Sequence, residues 1–364
     1  MTLHDFPNLK RVVLILLFCL SLFCSGDLKA ANYDIGVYYF PGWHSKSDYW
    51  KDLKGEPGSR SPGKAWEERY PLLGFYPEEE TWVAEKHIQW ASSYGIDFFA
   101  YDWYWDGKRP DLDHAIHAYL NAKNKSKLKF CIMWANHSDV PRSREEFTDM
   151  IKFWSDHYFR ETTYYRIEEM PLVFIFSPTL LDSNAKRFGE SAKTLIWNAN
   201  ESVRERGFKG IRFAAVSNWK PSPKIGKRFS EQGFSALTGW NYVMSNRERI
   251  SDYGCMVETY IAFYEASKKL DGTIPYIVPA SPGHDSTPWH GDKAHIATNP
   301  TPEKFEKMLE AAKRLALKQA KDPRMIVIES WNEFAEGSYI EPTVKWKFRY
   351  LESIQRILKP KEKD

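Results

Sequence analysis

Eight short apolar runs, separated by segments with helical spacing, leave this chain few folds to choose from. The runs are Ile35 to Phe40, Ile96 to Tyr101, Leu128 to Trp134 and Leu172 to Phe176. The second half adds Ile211 to Val216, Phe234 to Thr238, Tyr276 to Pro279 and Met325 to Ile328. Each is nearly continuous in Val, Ile, Phe and Tyr rather than alternating, as strands buried on both faces of a parallel sheet are. Between them the spacing predicts helices with recognisable ends. Glu78 to Ser93 opens on three glutamates, which a helix N-terminus favours, and stops at Gly95. Ser143 and Glu146 form a capping box for a helix ending near Tyr158. Thr301 and Pro302 start a helix that runs to about Lys321. Val344 to Leu358 reads as the closing helix, with Trp346, Tyr350, Ile354 and Leu358 four apart.

Eight strands, each followed by a helix, predict a single (β/α)8 TIM barrel. Its tightest step is from the fifth run to the sixth, where little room is left for a full helix after Trp219. A doubly wound open sheet is the structural rival. It would carry a glycine-rich phosphate turn after the first strand, and Pro41-Gly42-Trp43 is not one. No internal repeat, low-complexity tract or Pro/Ser-rich linker interrupts the pattern, so residues 31–364 are expected to form one catalytic domain. Residues 41–76, rich in Gly, Pro and Trp, form a long first loop placed to cover part of the barrel mouth.

Residues 1–30 are expected to be a signal peptide. Lys10 and Arg11 precede the apolar run Val12 to Phe23, and small residues follow at Ala30 and Ala31. The run is short of the roughly 20 residues a membrane span needs. Cleavage is expected after Ala30, sending the protein to the periplasm or out of the cell with no stable membrane span. Lipidation at Cys24 is disfavoured by bulky Phe23 just before it, and an uncleaved anchor is the third option. Cys131 and Cys255 then remain in the mature chain, as buried thiols or as one bridge. With 51 basic and 48 acidic residues, the net charge of +3 leaves no basic footprint for nucleic acid. A monomer is expected.

Barrel enzymes carry their chemistry at the C-terminal ends of the strands. Here those ends read Tyr39-Phe40-Pro41-Gly42-Trp43-His44, then Asp102-Trp103-Tyr104-Trp105, then Trp134-Ala135-Asn136-His137. They continue with Asn218-Trp219, Trp240-Asn241-Tyr242, His284-Asp285, and Glu329-Ser330-Trp331-Asn332-Glu333-Phe334-Ala335-Glu336. Seven of the 15 tryptophans (Trp43, Trp103, Trp105, Trp134, Trp219, Trp240 and Trp331) therefore fall at one end of the predicted barrel. One such tryptophan is more often core filling than a ligand platform. The set, with Asn, Asp or His beside most members, points to carbohydrate, whose C–H faces stack on rings and whose hydroxyls need polar partners.

Glycoside cleavage uses one carboxyl to protonate the leaving oxygen and a second at the cation-like centre. Glu333 and Glu336 are the candidate catalytic pair, three residues apart and so at most about 10 Å apart in extended chain. Near Trp331 and Phe334, desolvation and mutual repulsion would raise the pKa of one, which would be the acid. Two glutamates at this spacing are also common on solvated turns. The candidate substrate-binding residues are Tyr39, Trp43, His44, Asp102, Trp103, Trp134, Asn136, Trp240, His284, Asp285, Trp331 and Asn332. Asp102 reads equally as the partner of a buried Trp or Arg. His284 and Asp285 bind substrate hydroxyls or, with His290 and Asp292, a metal; nothing else completes a ligand set, so no metal is expected.

At these residues the chain resembles the glycoside hydrolase family 99-like group, which includes endo-α-mannosidases and WbsX-type domains. The motifs are Gly36-Val37-Tyr38-Tyr39-Phe40-Pro41-Gly42-Trp43 and Tyr94-Gly95-Ile96-Asp97-Phe98-Phe99-Ala100-Tyr101-Asp102-Trp103. The others are Ser281-Pro282-Gly283-His284-Asp285 and, most specific, Trp331-Asn332-Glu333-Phe334-Ala335-Glu336-Gly337-Ser338-Tyr339-Ile340-Glu341-Pro342. The resemblance implies a (β/α)8 fold, no cofactor, and retaining hydrolysis of α-mannosides assisted by the sugar's own 2-hydroxyl. It implies Glu333 as the base on that hydroxyl and Glu336 as acid/base. The chain departs where the group has an aromatic-His pair between the glutamates, here Phe334-Ala335, and where a Tyr often stands in place of His284. That puts mannose specificity in question. Cleavage of α-linked oligo- or polysaccharide is the expected activity; the alternatives are a WbsX-type glycosyltransferase and a non-catalytic carbohydrate-binding barrel.

Overall fold

The computed structural model describes residues 33–243, 248–270, 272–319 and 322–360. The expected signal, residues 1–30 with Cys19 and Cys24, lies outside them.

Eight parallel strands form the sheet: β1 (Asp34–Tyr39), β2 (Phe98–Trp105), β3 (Lys129–Trp134), β4 (Met170–Ile175), β5 (Arg212–Val216), β6 (Ala236–Thr238), β7 (Val278–Ala280) and β8 (Met325–Ile328). The ladder runs from β7 through β8 and β1 and on in order to β6. It closes because Leu237 of β6 bridges Tyr276: Ile277 N donates to Leu237 O at 2.9 Å, and Leu237 N donates to Pro275 O at 2.9 Å. The predicted barrel is therefore present, with each apolar run within a few residues of its strand.

Alternation along the strands decides which side chains reach the mouth. In β1, Gly36 and Tyr38 point inward. A Cβ on Gly36 would lie 2.1 Å from the Phe98 ring, so only glycine lets that ring fill the barrel floor. Tyr38 meets Phe174 and Trp240. Tyr39, one position on, points outward.

The outer layer comprises α1 (Thr81–Ser93), α2 (His114–Asn121), α3 (Arg144–His157), α4 (Pro178–Arg187), α5 (Ala192–Glu205), α6 (Pro223–Glu231), α7 (Tyr253–Ser267), α8 (Pro302–Lys318) and α9 (Arg349–Leu358). Ser143 caps α3 by accepting from Glu146 N, and Thr301 caps α8 by accepting from Lys304 N. Glu146 does not complete the capping box, because its carboxylate takes the side chain and amide of Arg142 instead. Three other expectations are corrected. The step after Trp219 holds a nine-residue helix, α6, capped by Ser222. The closing helix starts at Arg349, leaving Trp346 in the preceding turn, where Lys347 has a φ of 48°. Glu78 to Glu80 precede α1 rather than opening it, because Glu78 is drawn into the interior by buried donors described below.

The first loop forms a second apolar cluster in which Phe40, Trp43, Trp50, Leu53 and Trp66 pack on Phe334, Ala335 and Tyr339. It thus seats the turn that carries Glu333 and Glu336. Cys131 is a buried free thiol and Cys255 an exposed one, so the bridge is excluded. Among the described residues, no helix is long and apolar enough to cross a membrane.

Candidate active site

Past β8 the chain makes a short hairpin, Asn332–Glu333 pairing with Ser338–Tyr339, and a single 3-10 turn spans Phe334–Glu336. Gly337 leaves that turn at φ 67°; a Cβ there would sit 2.8 Å from Asp285 N, so a side chain would force the turn off the β7 loop. Arg69 clamps it from below. One guanidinium nitrogen donates to Phe334 O at 3.1 Å and Asp285 O at 2.9 Å, while the other pairs with the Asp285 carboxylate at 2.5 Å. Asn332 locks the other side, accepting from Phe40 N and donating to Phe40 O, both at 2.9 Å. Glu78, buried behind it, accepts from Trp43 N, from His114 and from Asn332.

This frame gathers four carboxyls at the mouth: Asp102 from the end of β2, Glu329 directly after β8, and Glu333 and Glu336 from the turn. Asp102, Glu329 and Glu333 are 3%, 0% and 4% exposed, and each leaves one oxygen without a hydrogen-bond partner. Burial dominates their acidity. It pushes Glu336 up to about 7 and Glu329 up to about 8, the second helped by the charge of Glu336. Burial, then repulsion from Glu336, raises both Glu333 and Asp102 well above the usual carboxylate range. Near neutrality the Glu333–Glu336 pair therefore holds a proton, which a mechanism with one acid and one base requires. Tyr38 lines the same hollow beside Asp102, and Tyr104 faces Asp102 and Glu333; burial raises both phenols well above 10.

The family model described as Glycosyltransferase WbsX matches residues 66–354. The chain belongs to the WbsX family. The glycoprotein endo-alpha-1,2-mannosidase of Mus musculus is 24% identical over 350 residues, covering 87% of this chain and 70% of that protein. WxcX of Xanthomonas campestris pv. campestris is 22% identical over 343 residues, covering 88% of this chain but 46% of WxcX, so the chain spans about half the length of that relative. Among solved structures, the GH99 endo-alpha-mannosidase of Bacteroides thetaiotaomicron has the same fold, with a TM-score of 0.64 at 18% identity over 90% of this chain and 97% of that one. These likenesses bear out the resemblance to the glycoside hydrolase family 99-like group.

In this WbsX-family chain the predicted site residues divide sharply. Asp102 and His284 reach the carboxyl hollow, and Trp240 packs on Tyr38 at its wall with ring centroids 4.7 Å apart. His44 sits half-buried on the edge against His114, and burial lowers its pKa. The others serve the frame. Trp103 and Trp134 point outward onto Trp154 of α3, and Trp331 lies between Phe99 and His87 of α1. Trp43 is sealed in the second cluster with its indole N–H on Asn332 O. None of these four exceeds 1% exposure, so no ring face is left for a sugar. Tyr39 bonds His87, Asn136 clamps Ser177 N and O, Asn332 is spent on Phe40 and Glu78, and Asp285 is held by Arg69. Of the seven tryptophans, Trp105 stacks on buried Trp103, and Trp219 alone is broadly exposed, at 58%.

Sequence reasoning passed over Glu329, Tyr38, Tyr104 and Asn241 as site residues. Glu329 carries the same signal as Asp102, an acid directly after an apolar run. His290 and Asp292 do not complete a ligand set with His284. Instead, His284, Glu329 and Glu336 each bring one ligand atom within 4.8 Å of the others. A metal fits this trio poorly. Asn241 Oδ1 accepts from Val243 N, which turns its amide NH2 toward His284 Nδ1 at 2.9 Å. Nδ1 is thereby an acceptor and Nε2 carries the hydrogen, so the imidazole offers a donor rather than a free lone pair. Burial keeps it neutral, lowering its pKa to about 3. A separate cavity of about 300 Å³, lined by Leu270, Ile274, Pro275, Tyr276 and Leu315, lies at the opposite end of the barrel, before β7.

The outward packing of Trp103 yields a prediction. Trp103→Leu is expected to cost about 2–4 kcal/mol of stability, as large-to-small core changes do, while leaving glycan affinity within about two-fold. Urea unfolding and calorimetric titration check the two parts; a selective loss of affinity would return Trp103 to the site.

Proposed function

We propose that this chain is a glycoside hydrolase that cleaves an α-linked glycan, α-mannoside by analogy with its named relatives, with retention and without a cofactor. The observation that carries this reading is the placement of Glu333 and Glu336 on one clamped turn, Glu333 buried and Glu336 half-buried in a hollow, and both holding protons more tightly than ordinary carboxyls. In an α-mannoside the 2-hydroxyl is trans to the leaving group and so lies on the face from which C1 is attacked. Glu333 takes the O2 proton as O2 bonds to C1. The C1–leaving-group bond breaks, and Glu336 protonates the departing oxygen. Water then adds to C1 and gives its proton to Glu336; the C1–O2 bond opens, and O2 recovers its proton from Glu333. Burial raises the pKa of both carboxyls, so these roles come from the resemblance of the signature and not from the free-site acidities.

Residues 1–30 as an export signal belong to the same proposal. A glycan substrate outside the cytosol would then meet the enzyme there. Product analysis by mass spectrometry on a panel of α-linked oligosaccharides, α-mannans included, tests the reading. The expected outcome is a released sugar that retains its α configuration, read by NMR before mutarotation. The description of the WbsX family favours a second reading, glycosyl transfer. Consumption of a nucleotide sugar, with no hydrolysis of any glycan in the panel, would establish it instead.

A further inference from the structure

The geometry points to a cup for a single oxygen atom between His284, Glu329 and Glu336, which holds the attacking water against Glu336. Three atoms no more than 4.8 Å apart always have a point within about 2.8 Å of each, which is hydrogen-bond length. No hydrogen bond joins the three residues to one another. His284 and Glu329 each have their other polar atom engaged. His284 Nδ1 accepts from Asn241. Glu329 Oε2 meets Ser338 Oγ at 2.7 Å and Asn241 Nδ2 at 3.3 Å, which leaves Oε1, in a residue 0% exposed, without a partner.

A buried polar atom left unmatched costs on the order of 1–3 kcal/mol, so one that is held open by anchoring its neighbour implies an occupant. Size and polarity fit a water or a hydroxyl. His284 supplies N–H from Nε2 to a lone pair of that oxygen, Glu329 fixes its orientation, and Glu336 receives its proton. When the oxygen bonds to C1, one proton passes to Glu336, the C1–O2 bond of the intermediate breaks, and O2 takes the proton held by Glu333. Nothing is left over and the enzyme returns to its starting state.

This inference deepens the hydrolase reading and takes the reaction step from it, so its first test avoids turnover altogether. A crystal structure of the unliganded protein at better than about 1.5 Å, where waters are well defined, is expected to show one ordered water bonded to His284, Glu329 and Glu336. That water should vanish in Glu329→Ala and in His284→Phe. An empty cup in the parent, or a water undisturbed in both variants, overturns the assignment whatever the protein cleaves. The second test uses an activated α-mannoside in water–methanol mixtures. Glu329→Gln is expected to change the ratio of methyl glycoside to free sugar by about five-fold, the worth of one hydrogen bond. A merely structural role lowers both products together and leaves the ratio fixed, and that result also overturns the cup.

Discussion

Replacing Glu336 with glutamine is expected to lower kcat/KM for an unactivated α-linked glycan by roughly 10²–10⁴-fold, the usual share of a positioned acid or base. The amide keeps the size of the side chain, so the Phe334–Glu336 turn, held by Arg69 and Gly337, should keep its place. Glycan affinity should therefore change by only a few-fold. Glu333→Gln is expected to lose as much, but the two variants part company on leaving group. A sugar carrying a phenolate of low pKa needs little protonation, so Glu336→Gln should recover most of its first-step rate on it. Glu333→Gln, lacking the group that draws the O2 proton, should not. The pH profile gives a further check. Glu336, raised to about 7 by burial, works as an acid only while protonated, so kcat/KM should fall as pH rises through about 7, and that limb should disappear in Glu336→Gln. Equal losses on both leaving groups would remove the assigned roles, and full turnover in either variant would remove the pair from the chemistry.

The barrel was legible in the sequence because its signal is repeated eight times and depends on composition within each run. The pairing of Glu333 and Glu336 was legible from their spacing, but the turn that carries them was not, because Arg69 and Phe40, which hold it, are distant in sequence. Nor could direction be read. Trp103 and Asp102 are adjacent, yet a strand sends one onto α3 and the other into the mouth, and the parity is set by the register of β2 against β1 and β3. The tryptophans at the strand ends were read as one surface when most belong to the packing between strands and helices. Glu78 was misread similarly. Three glutamates before a helix look like a response to its dipole, but Glu78 answers to Trp43, His114 and Asn332, which are distant in sequence. Glu329 was passed over although, like Asp102, it is an acid directly after an apolar run. Its importance emerges only when the closed sheet brings it beside His284 and Glu336.

The same burial that tunes the acids should make the fold sensitive to alkali. A carboxyl whose folded pKa lies above its unfolded one binds more protons in the folded state. Its contribution to stability is complete below the unfolded pKa and is lost as pH rises through the folded one. For Glu329 that window runs from the ordinary 4.5 to about 8, and Asp102, Glu333 and Glu336 are raised in the same direction. At about 1.4 kcal/mol per unit, Glu329 alone accounts for a loss on the order of 5 kcal/mol across the window. Unfolding free energy is thus expected to fall steadily between pH 5 and about 8. Glu329→Gln removes a titration but keeps the volume and an acceptor for Ser338, so the variant should lie close to the parent at pH 5 and exceed it by a few kcal/mol at pH 9. Urea denaturation at pH 5, 7 and 9 reads both curves. A parent that gains stability with rising pH, or a variant whose curve runs parallel to it, would mean that these carboxyls meet water or a counter-charge in solution. An apolar residue in place of Glu329 would fill this end of the barrel with no such penalty. The cost of keeping acids there is accounted for by what they do to a bound oxygen rather than by what they add to the fold.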